Sequence, residues 1–205
     1  MENKKSIVIY GGSFYPPHNV HFSIAEQVLK QYQEVEKVIF IPVNNKYQKS
    51  GIIENEHRYA MLKRVIDKKQ KFELSDWDMH GEKSVLTINV LEQMEKEYKN
   101  KELWVLVGSD NLKKIHMWYR AEDLLKKYKI LVMEREGDSV EEIINANELF
   151  RKNKQNIKIL NQDMKSNLSA TYIREQIKEG KNINKFVPKE VAEYIEKNKL
   201  YKSST

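Results

Sequence analysis

Six short apolar runs, set apart by longer amphipathic stretches, limit the folds open to this chain. They are Ser6–Tyr10, Lys37–Pro42, Lys71–Ser75, Leu103–Val107, Lys129–Met133 and Ile157–Leu160. All are short and most are rich in Val, Ile and Leu, as strands buried on both faces of a parallel sheet are. Helical patterns lie between them, over Val20–Tyr32, Glu56–Lys68, Val85–Lys99, Ala121–Lys127 and Val140–Asn153. Strand–helix alternation of this kind predicts an α/β fold, an open parallel sheet flanked by helices and joined by right-handed crossovers.

Beyond Leu160 the pattern changes. Ser169–Glu179 reads as a helix with Ser169 as its N-cap and Gly180 just past its end. Pro188 opens a last helix over Lys189–Asn198, where its missing N–H costs nothing. Two consecutive helices predict a small C-terminal helical cap. The expected organisation is a sheet core over 1–160 and a helical part over 161–205, within one domain. A length of 205 residues suits this and buries well over half of the unfolded surface without staples. With no cysteine there are no disulfides or thiolate metal sites, which suits a reducing cytoplasm. No apolar run approaches the ~20 residues of a membrane span. The chain enters a strand directly after Lys4-Lys5, with no signal-peptide core. A cytoplasmic protein without a membrane partner is expected.

Lys and Arg number 36 against 30 Asp and Glu, a formal charge of +6. This balance favours an anionic ligand or a nucleic acid, although solvated Lys/Glu-rich helix faces produce the same excess. No RNP-like aromatic pattern accompanies it, which argues against a nucleic-acid partner.

The chemistry concentrates after the first strand. Gly11-Gly12-Ser13-Phe14 follows Ser6–Tyr10 directly, and glycines there let backbone N–H groups approach a phosphate closely. The turn is neither the G-x-G-x-x-G fingerprint nor a P-loop with its Lys-Ser/Thr ending. By itself it reads equally as a plain turn. Pro16-Pro17 then stiffens the connection. His18 and His21, three residues apart, share a face of the helix that starts there. A helix N-terminus attracts anions, and two imidazoles added to it can donate to phosphate oxygens as negative charge builds. Two nitrogens without an obvious third ligand do not make a zinc site.

This stretch resembles the (His/Thr)-x-x-His signature of the nucleotidylyltransferase superfamily. Within it the chain is most similar to the nicotinamide/nicotinate mononucleotide adenylyltransferases. The resemblance implies a Rossmann-like core and an ATP cradle formed by Gly11, Gly12, Ser13, Phe14, His18 and His21. Ile41-Pro42-Val43, Tyr47-Gln48-Lys49-Ser50-Gly51 and His57-Arg58-Tyr59-Ala60-Met61 resemble the eukaryotic-type Pro-Val…Tyr-Lys-Lys-Lys-Gly…His-Arg-x-x-Met pattern. It implies that Lys49 reaches the phosphates, with Lys46 as a second candidate. Trp77-Asp78, Thr87 and Val90-Leu91 resemble the segment that lines the pyridine pocket, for which an indole offers a flat apolar face. Gly108-Ser109-Asp110-Asn111-Leu112 with Trp118 resembles Gly-Ala-Asp-x-Leu…Trp. That match assigns Gly108 and Asp110 to nucleotide binding, Asp110 also to the mononucleotide, and Trp118 to stacking on the nicotinoyl ring.

Leu168-Ser169-Ala170-Thr171-Tyr172-Ile173-Arg174 resembles Ile-Ser-Ser-Thr-x-Ile-Arg. The match continues through Phe186-Val187-Pro188 to Tyr194-Ile195-Glu196-Lys197 and Leu200-Tyr201. It adds Ser169, Thr171 and Arg174 to the ATP site, Arg174 as a permanently charged bidentate donor. The implied reaction joins ATP and nicotinamide or nicotinate mononucleotide with loss of pyrophosphate. His18, His21, Lys49 and Arg174 are its catalytic groups, and Mg²⁺ is bound largely by the triphosphate. The resemblance also makes a homo-oligomer plausible.

The chain departs from the family pattern in several places. Bacterial nicotinate-specific members usually read Phe-Asp-Pro and His-x-Gly-His, where this chain has Tyr15 and Val20. They also tend to show Tyr-Thr-Ile-Asp-Thr, against Leu86-Thr87-Ile88-Asn89-Val90 here. Asn19-Val20-His21 is closer to the eukaryotic Asn-Met-His, yet His18 replaces the threonine common there. The choice between the two pyridine acceptors therefore stays open. Two alternatives stand beside this reading. One is transfer to another phosphate acceptor, as in pantetheine-phosphate or cytidylyl transfer, which Trp77 and Trp118 argue against. The other is a catalytically weak nucleotide-binding sensor.

Overall fold

The computed structural model describes residues 5–45, 53–79, 87–161 and 168–202. The strands are β1 (Ser6–Gly12), β2 (Val35–Pro42), β3 (Phe72–Leu74), β4 (Glu102–Gly108), β5 (Lys129–Met133) and β6 (Ile157–Leu160). Between β1 and β4 run helices α1 (Asn19–Gln31), α2 (Asn55–Ile66) and α3 (Thr87–Glu97). From β4 onward come α4 (Ser109–Ile115), α5 (Ala121–Lys127), α6 (Val140–Ala146) and α7 (Glu148–Lys152). Helices α8 (Ala170–Lys178) and α9 (Lys189–Lys197) follow β6. All six expected strands form, within a few residues of the expected bounds.

The strands make one six-stranded sheet in the order β3-β2-β1-β4-β5-β6. The pairs β1–β4, β4–β5 and β5–β6 are parallel. This is the Rossmann-like arrangement expected, with helices flanking the sheet. The order reverses between β1 and β4, whose register sets Tyr10 beside Leu106. Gly11 and Gly12, expected as a turn, are the last two residues of β1, and Gly108 is the last residue of β4.

Two compact units make up the chain, each assembled from three separate stretches. The first comprises the described residues of Met1–Gly11, Glu26–Ile39 and Val85–Ser166. Its centre is the fully buried Trp104 on β4. The indole Nε1 donates to Glu102 Oε2 at 2.8 Å, Lys129 Nζ reaches the same oxygen at 2.8 Å, and Ser6 Oγ at 3.3 Å. One carboxylate thereby joins β1, β4 and β5. Burial works to raise its pKa, but the hydrogen bonds from Lys129, Trp104 and Ser6 outweigh burial and leave it lowered.

The expected helix over 140–153 is two helices. Asn147 interrupts it in extended backbone, and its side chain accepts from the N–H groups of Leu149 and Phe150 to cap α7. Asparagine competes for backbone groups in this way, so an apolar period can continue across a break. Helix α4, seven residues long, was not expected from the sequence.

The second unit comprises the described residues of Gly12–Ala25, Phe40–Ser84 and Asn167–Thr205. Here α2 packs on α9 and on β3. Ser169 caps α8 as expected, accepting from Tyr172 N at 3.2 Å. Gly180 follows at φ 69°, with Gly180 N on Ile177 O and Lys181 N on Gln176 O, which is a Schellman ending. Helix α9 ends in the same motif, with Lys199 at φ 52° in the left-handed position. Lys199 N bonds Glu196 O and Leu200 N bonds Ile195 O.

Candidate active site

In the second unit the glycine turn is shaped by the residue two places on. Phe14 sits at φ 44°, a left-handed conformation that costs a side chain of this kind about 1–2 kcal/mol. Its ring folds back over Gly12, where an added Cβ would lie 3.1 Å from the ring. A side chain at 12 would push the ring back by a few tenths of an ångström, whereas a Cβ at Gly11 would meet open space. The Phe14 ring is fully enclosed, edge-on to His21 at 5.0 Å and tilted against Phe40 at 5.7 Å.

The Phe14 wall carries the two histidines. His18 is buried, and its ring stacks on that of His21 at 3.6 Å between centroids. The backbone N–H of His18 donates to His21 Nδ1 at 3.1 Å. That bond makes Nδ1 the acceptor nitrogen and leaves Nε2 as the proton-bearing one in the neutral ring. Helix α1 starts at this point with no acidic residue in its first turn. Its entry is pinned from the C-terminal segment: Asn19 N donates to Phe186 O at 3.0 Å and Asn19 Nδ2 to Lys185 O at 3.1 Å. The Phe186-Val187-Pro188 stretch thus acquires a physical task, to hold the start of the histidine helix.

Arg174 enters the same neighbourhood from α8. Nη1 donates to Tyr15 O at 2.6 Å, Nη2 to Thr171 Oγ1 at 3.0 Å, and the guanidinium carbon lies 4.3 Å from the centre of the Tyr15 ring. Tyr201, from the turn after α9, meets the Tyr15 ring edge-on at 5.2 Å. Burial first, then the neighbouring Tyr15 phenol, push the Tyr201 hydroxyl up, while Arg174 and Arg58 pull it the other way.

Arg58 is the residue that sequence reasoning missed. Its guanidinium is fully buried; Nη1 donates to Ser13 O at 2.8 Å, and Nη2 to Val43 O at 2.6 Å and Asn55 Oδ1 at 2.5 Å. Burial lowers its pKa. Asn55 also receives Asn45 N at 2.9 Å and donates to Asn44 Oδ1 at 3.3 Å, and Asn44 N donates to Asp78 Oδ2 at 3.3 Å. One polar network therefore ties the Gly-Ser-Phe turn to the Pro-Val, His-Arg and Trp-Asp segments. The signal was present in His57-Arg58-Tyr59-Ala60-Met61, but no role was attached to its arginine. Trp77 itself is 38% exposed, its N–H on Ser75 Oγ.

The remaining candidates belong to the first unit. Gly108 ends β4, and a Cβ there would collide with Asp110 Oδ1 at 2.3 Å. Asp110 is exposed and faces Arg135 Nε at 3.5 Å. Buried Ser109 donates to Asp138 Oδ2 at 2.7 Å and accepts from Arg135 N at 2.9 Å, which fixes the loop carrying Arg135. Trp118 is half-buried in the turn between α4 and α5, and Thr87 is half-buried at the start of α3. Lys46 and Lys49 lie outside the described residues.

Thus Gly12, Phe14, His18 and His21 form one cluster; Arg174 reaches the neighbouring Tyr15 and is held by Thr171, while Ser169 caps the helix that carries both. The cluster offers hydrogen-bond donors and positive charge, suited to phosphate oxygens. Among the described residues no group of three or more His, Asp or Glu is placed to hold a metal ion. Also among them, no helix is long and apolar enough to cross a membrane.

Residues 9–176 match the family model described as cytidylyltransferase-like. A protein of Carboxydothermus hydrogenoformans named probable nicotinate-nucleotide adenylyltransferase is 34% identical over 198 residues, covering 96% of this chain and 98% of that protein. One of the same name from Clostridium tetani is 33% identical, over 97% of this chain and 100% of its own. Among solved structures, a Plasmodium falciparum nicotinic acid mononucleotide adenylyltransferase complexed with NaAD shares the fold. Its TM-score is 0.76 at 21% identity, over 96% of this chain and 97% of that one.

Proposed function

The chain belongs to the cytidylyltransferase-like family and, within it, to the nicotinate and nicotinamide mononucleotide adenylyltransferases, and from that membership we propose that nicotinate mononucleotide is its preferred acceptor. The reaction is adenylyl transfer in NAD biosynthesis. An oxygen of the acceptor's 5′-phosphate forms a bond to the α-phosphorus of ATP. The bond from that phosphorus to the bridging oxygen breaks, and pyrophosphate leaves with the electron pair. The acceptor phosphate is already ionised, so no proton need be removed from it. What the protein supplies is alignment and neutralisation of charge.

The observation that carries these roles is the stacked His18–His21 pair, held by Phe14 at the Gly12 turn and accompanied by Arg174. His21, whose Nδ1 accepts from His18 N, carries its proton on Nε2 in the neutral ring, and it is proposed as a donor to a phosphate oxygen. Arg174 supplies a planar, permanently charged fork for the triphosphate. Lys46 and Lys49 are proposed as further phosphate contacts, and Gly11, Ser13, Gly108, Asp110, Ser169 and Thr171 as nucleotide contacts. Trp77, Thr87 and Trp118 are proposed for the pyridine mononucleotide. Two imidazoles with no third His, Asp or Glu placed beside them among the described residues do not fit a protein-held metal there. Mg²⁺ is proposed to arrive on the triphosphate, where it neutralises charge on the leaving pyrophosphate. The cytoplasm is the proposed location.

The relatives' names support nicotinate over nicotinamide, against the departures at Tyr15 and Val20. A pyrophosphate-release assay with ATP and Mg²⁺ and either mononucleotide tests the choice. A higher kcat/KM for nicotinate mononucleotide is expected. Equal or higher kcat/KM for the nicotinamide form would overturn the preference, and turnover only with 4′-phosphopantetheine would overturn the pyridine assignment.

A further inference from the structure

We propose that Tyr15 is a positioning residue for Arg174: its ring and its carbonyl carry the guanidinium, and the Tyr201 ring packs against the Tyr15 ring. The proposal rests on the reading of Arg174 as an ATP-phosphate contact.

Three contacts define the arrangement. Tyr15 O accepts from Arg174 Nη1 at 2.6 Å, the guanidinium carbon lies 4.3 Å from the Tyr15 ring centre, and Thr171 Oγ1 takes Nη2 at 3.0 Å. None of these partners carries a formal negative charge. A cation over an aromatic face is held by the ring quadrupole, so its charge is not cancelled by its support. A carboxylate at position 15 would instead pair with the guanidinium and compete with phosphate for it.

Tyr201 completes the support. The Schellman ending of α9 reverses the chain at Lys199, φ 52°, and Tyr201 follows at φ 64°. Its ring meets Tyr15 edge-on at 5.2 Å. The Tyr201 hydroxyl is buried without a hydrogen-bond partner among the described residues. The ring, not the hydroxyl, therefore does the bracing, and the segment after α9 influences ATP affinity through two aromatic rings.

The test measures ATP binding by calorimetry and steady-state KM values for Tyr15→Phe, Tyr15→Leu and Tyr201→Phe, with Tyr15→Leu also made in an Arg174→Ala background. Leucine retains bulk and lacks the π face. Tyr15→Leu should weaken ATP about tenfold. KM for the mononucleotide should stay unchanged, and Tyr15→Phe and Tyr201→Phe should retain affinity. In the Arg174→Ala background, Tyr15→Leu should cost nothing further, because the residue it acts through is gone. An equal loss in both backgrounds would overturn the proposal, as would ATP affinity that ignores Arg174→Ala. Calorimetry needs no turnover. An enzyme that binds ATP as described but forms no dinucleotide would refute the adenylyl-transfer reading and leave this one standing.

Discussion

Arg58 places a buried positive charge against two backbone carbonyls, and the position of the Gly-Ser-Phe segment follows from it. Ser13 O and Val43 O both accept from its guanidinium, and Asn55 fills a third place. A fork with fixed donors can serve three acceptors at once, and a lysine cannot. Arg58→Ala empties the volume of a fully buried side chain and takes the donors from Ser13 O and Val43 O, so unfolding in urea should show a loss of about 3 kcal/mol. Arg58→Lys should fall between the two. If Arg58→Ala unfolds at the wild-type midpoint, the network does not hold the turn. The pairing of His18 with His21 was legible from their spacing, whereas Arg174 stood out only through the resemblance of Leu168–Arg174 to the family segment. Arg58 was not legible, because nothing in a sequence distinguishes a surface arginine from one whose carbonyl partners come from distant segments.

At the scale of elements, the endings are the most physically explicit features. Gly180 past α8 could be read directly, since glycine tolerates the left-handed position that ends a helix. The same ending after α9 was hidden because Lys199 occupies that position. Lys199→Gly should therefore stabilise the chain by about 1 kcal/mol in urea unfolding, and a loss of stability would refute the assigned motif. The break at Asn147 was hidden for a similar reason: its cap depends on a side chain turning back on the main chain, while the apolar period runs on. The strand cluster around Glu102 gives a pH prediction. Its folded pKa is lowered, so its stabilising contribution is present above the ordinary carboxylate range near ~4.3 and is lost as pH falls through the folded value. Glu102→Gln should lower the urea midpoint at pH 7 and narrow its gap to wild type as pH falls below about 4. A gap that is constant or widens in acid would contradict this.

At the scale of the molecule, the alternation of apolar runs and amphipathic stretches was enough for the sheet, since each short run became a strand. The grouping of β1, β4, β5 and β6 apart from α2, β3, α8 and α9 was not legible, because each unit draws on three distant stretches of chain. Local patterns carry period and capping but not which stretches pack together. The candidate site shows the same division. Gly12, His18 and His21 are close in sequence and were read together, whereas Arg174 reaches the neighbouring Tyr15 from α8. The central claim is that adenylyl transfer here depends on donors aligned on phosphate. Turnover of ATP and nicotinate mononucleotide by wild type and His21→Ala, followed as pyrophosphate release with the melting temperature measured alongside, tests it most directly. The account predicts equal amounts of dinucleotide and pyrophosphate from wild type, and a loss in kcat on the order of 10²–10³ in a variant that remains folded. A folded His21→Ala enzyme with near-normal kcat would contradict it.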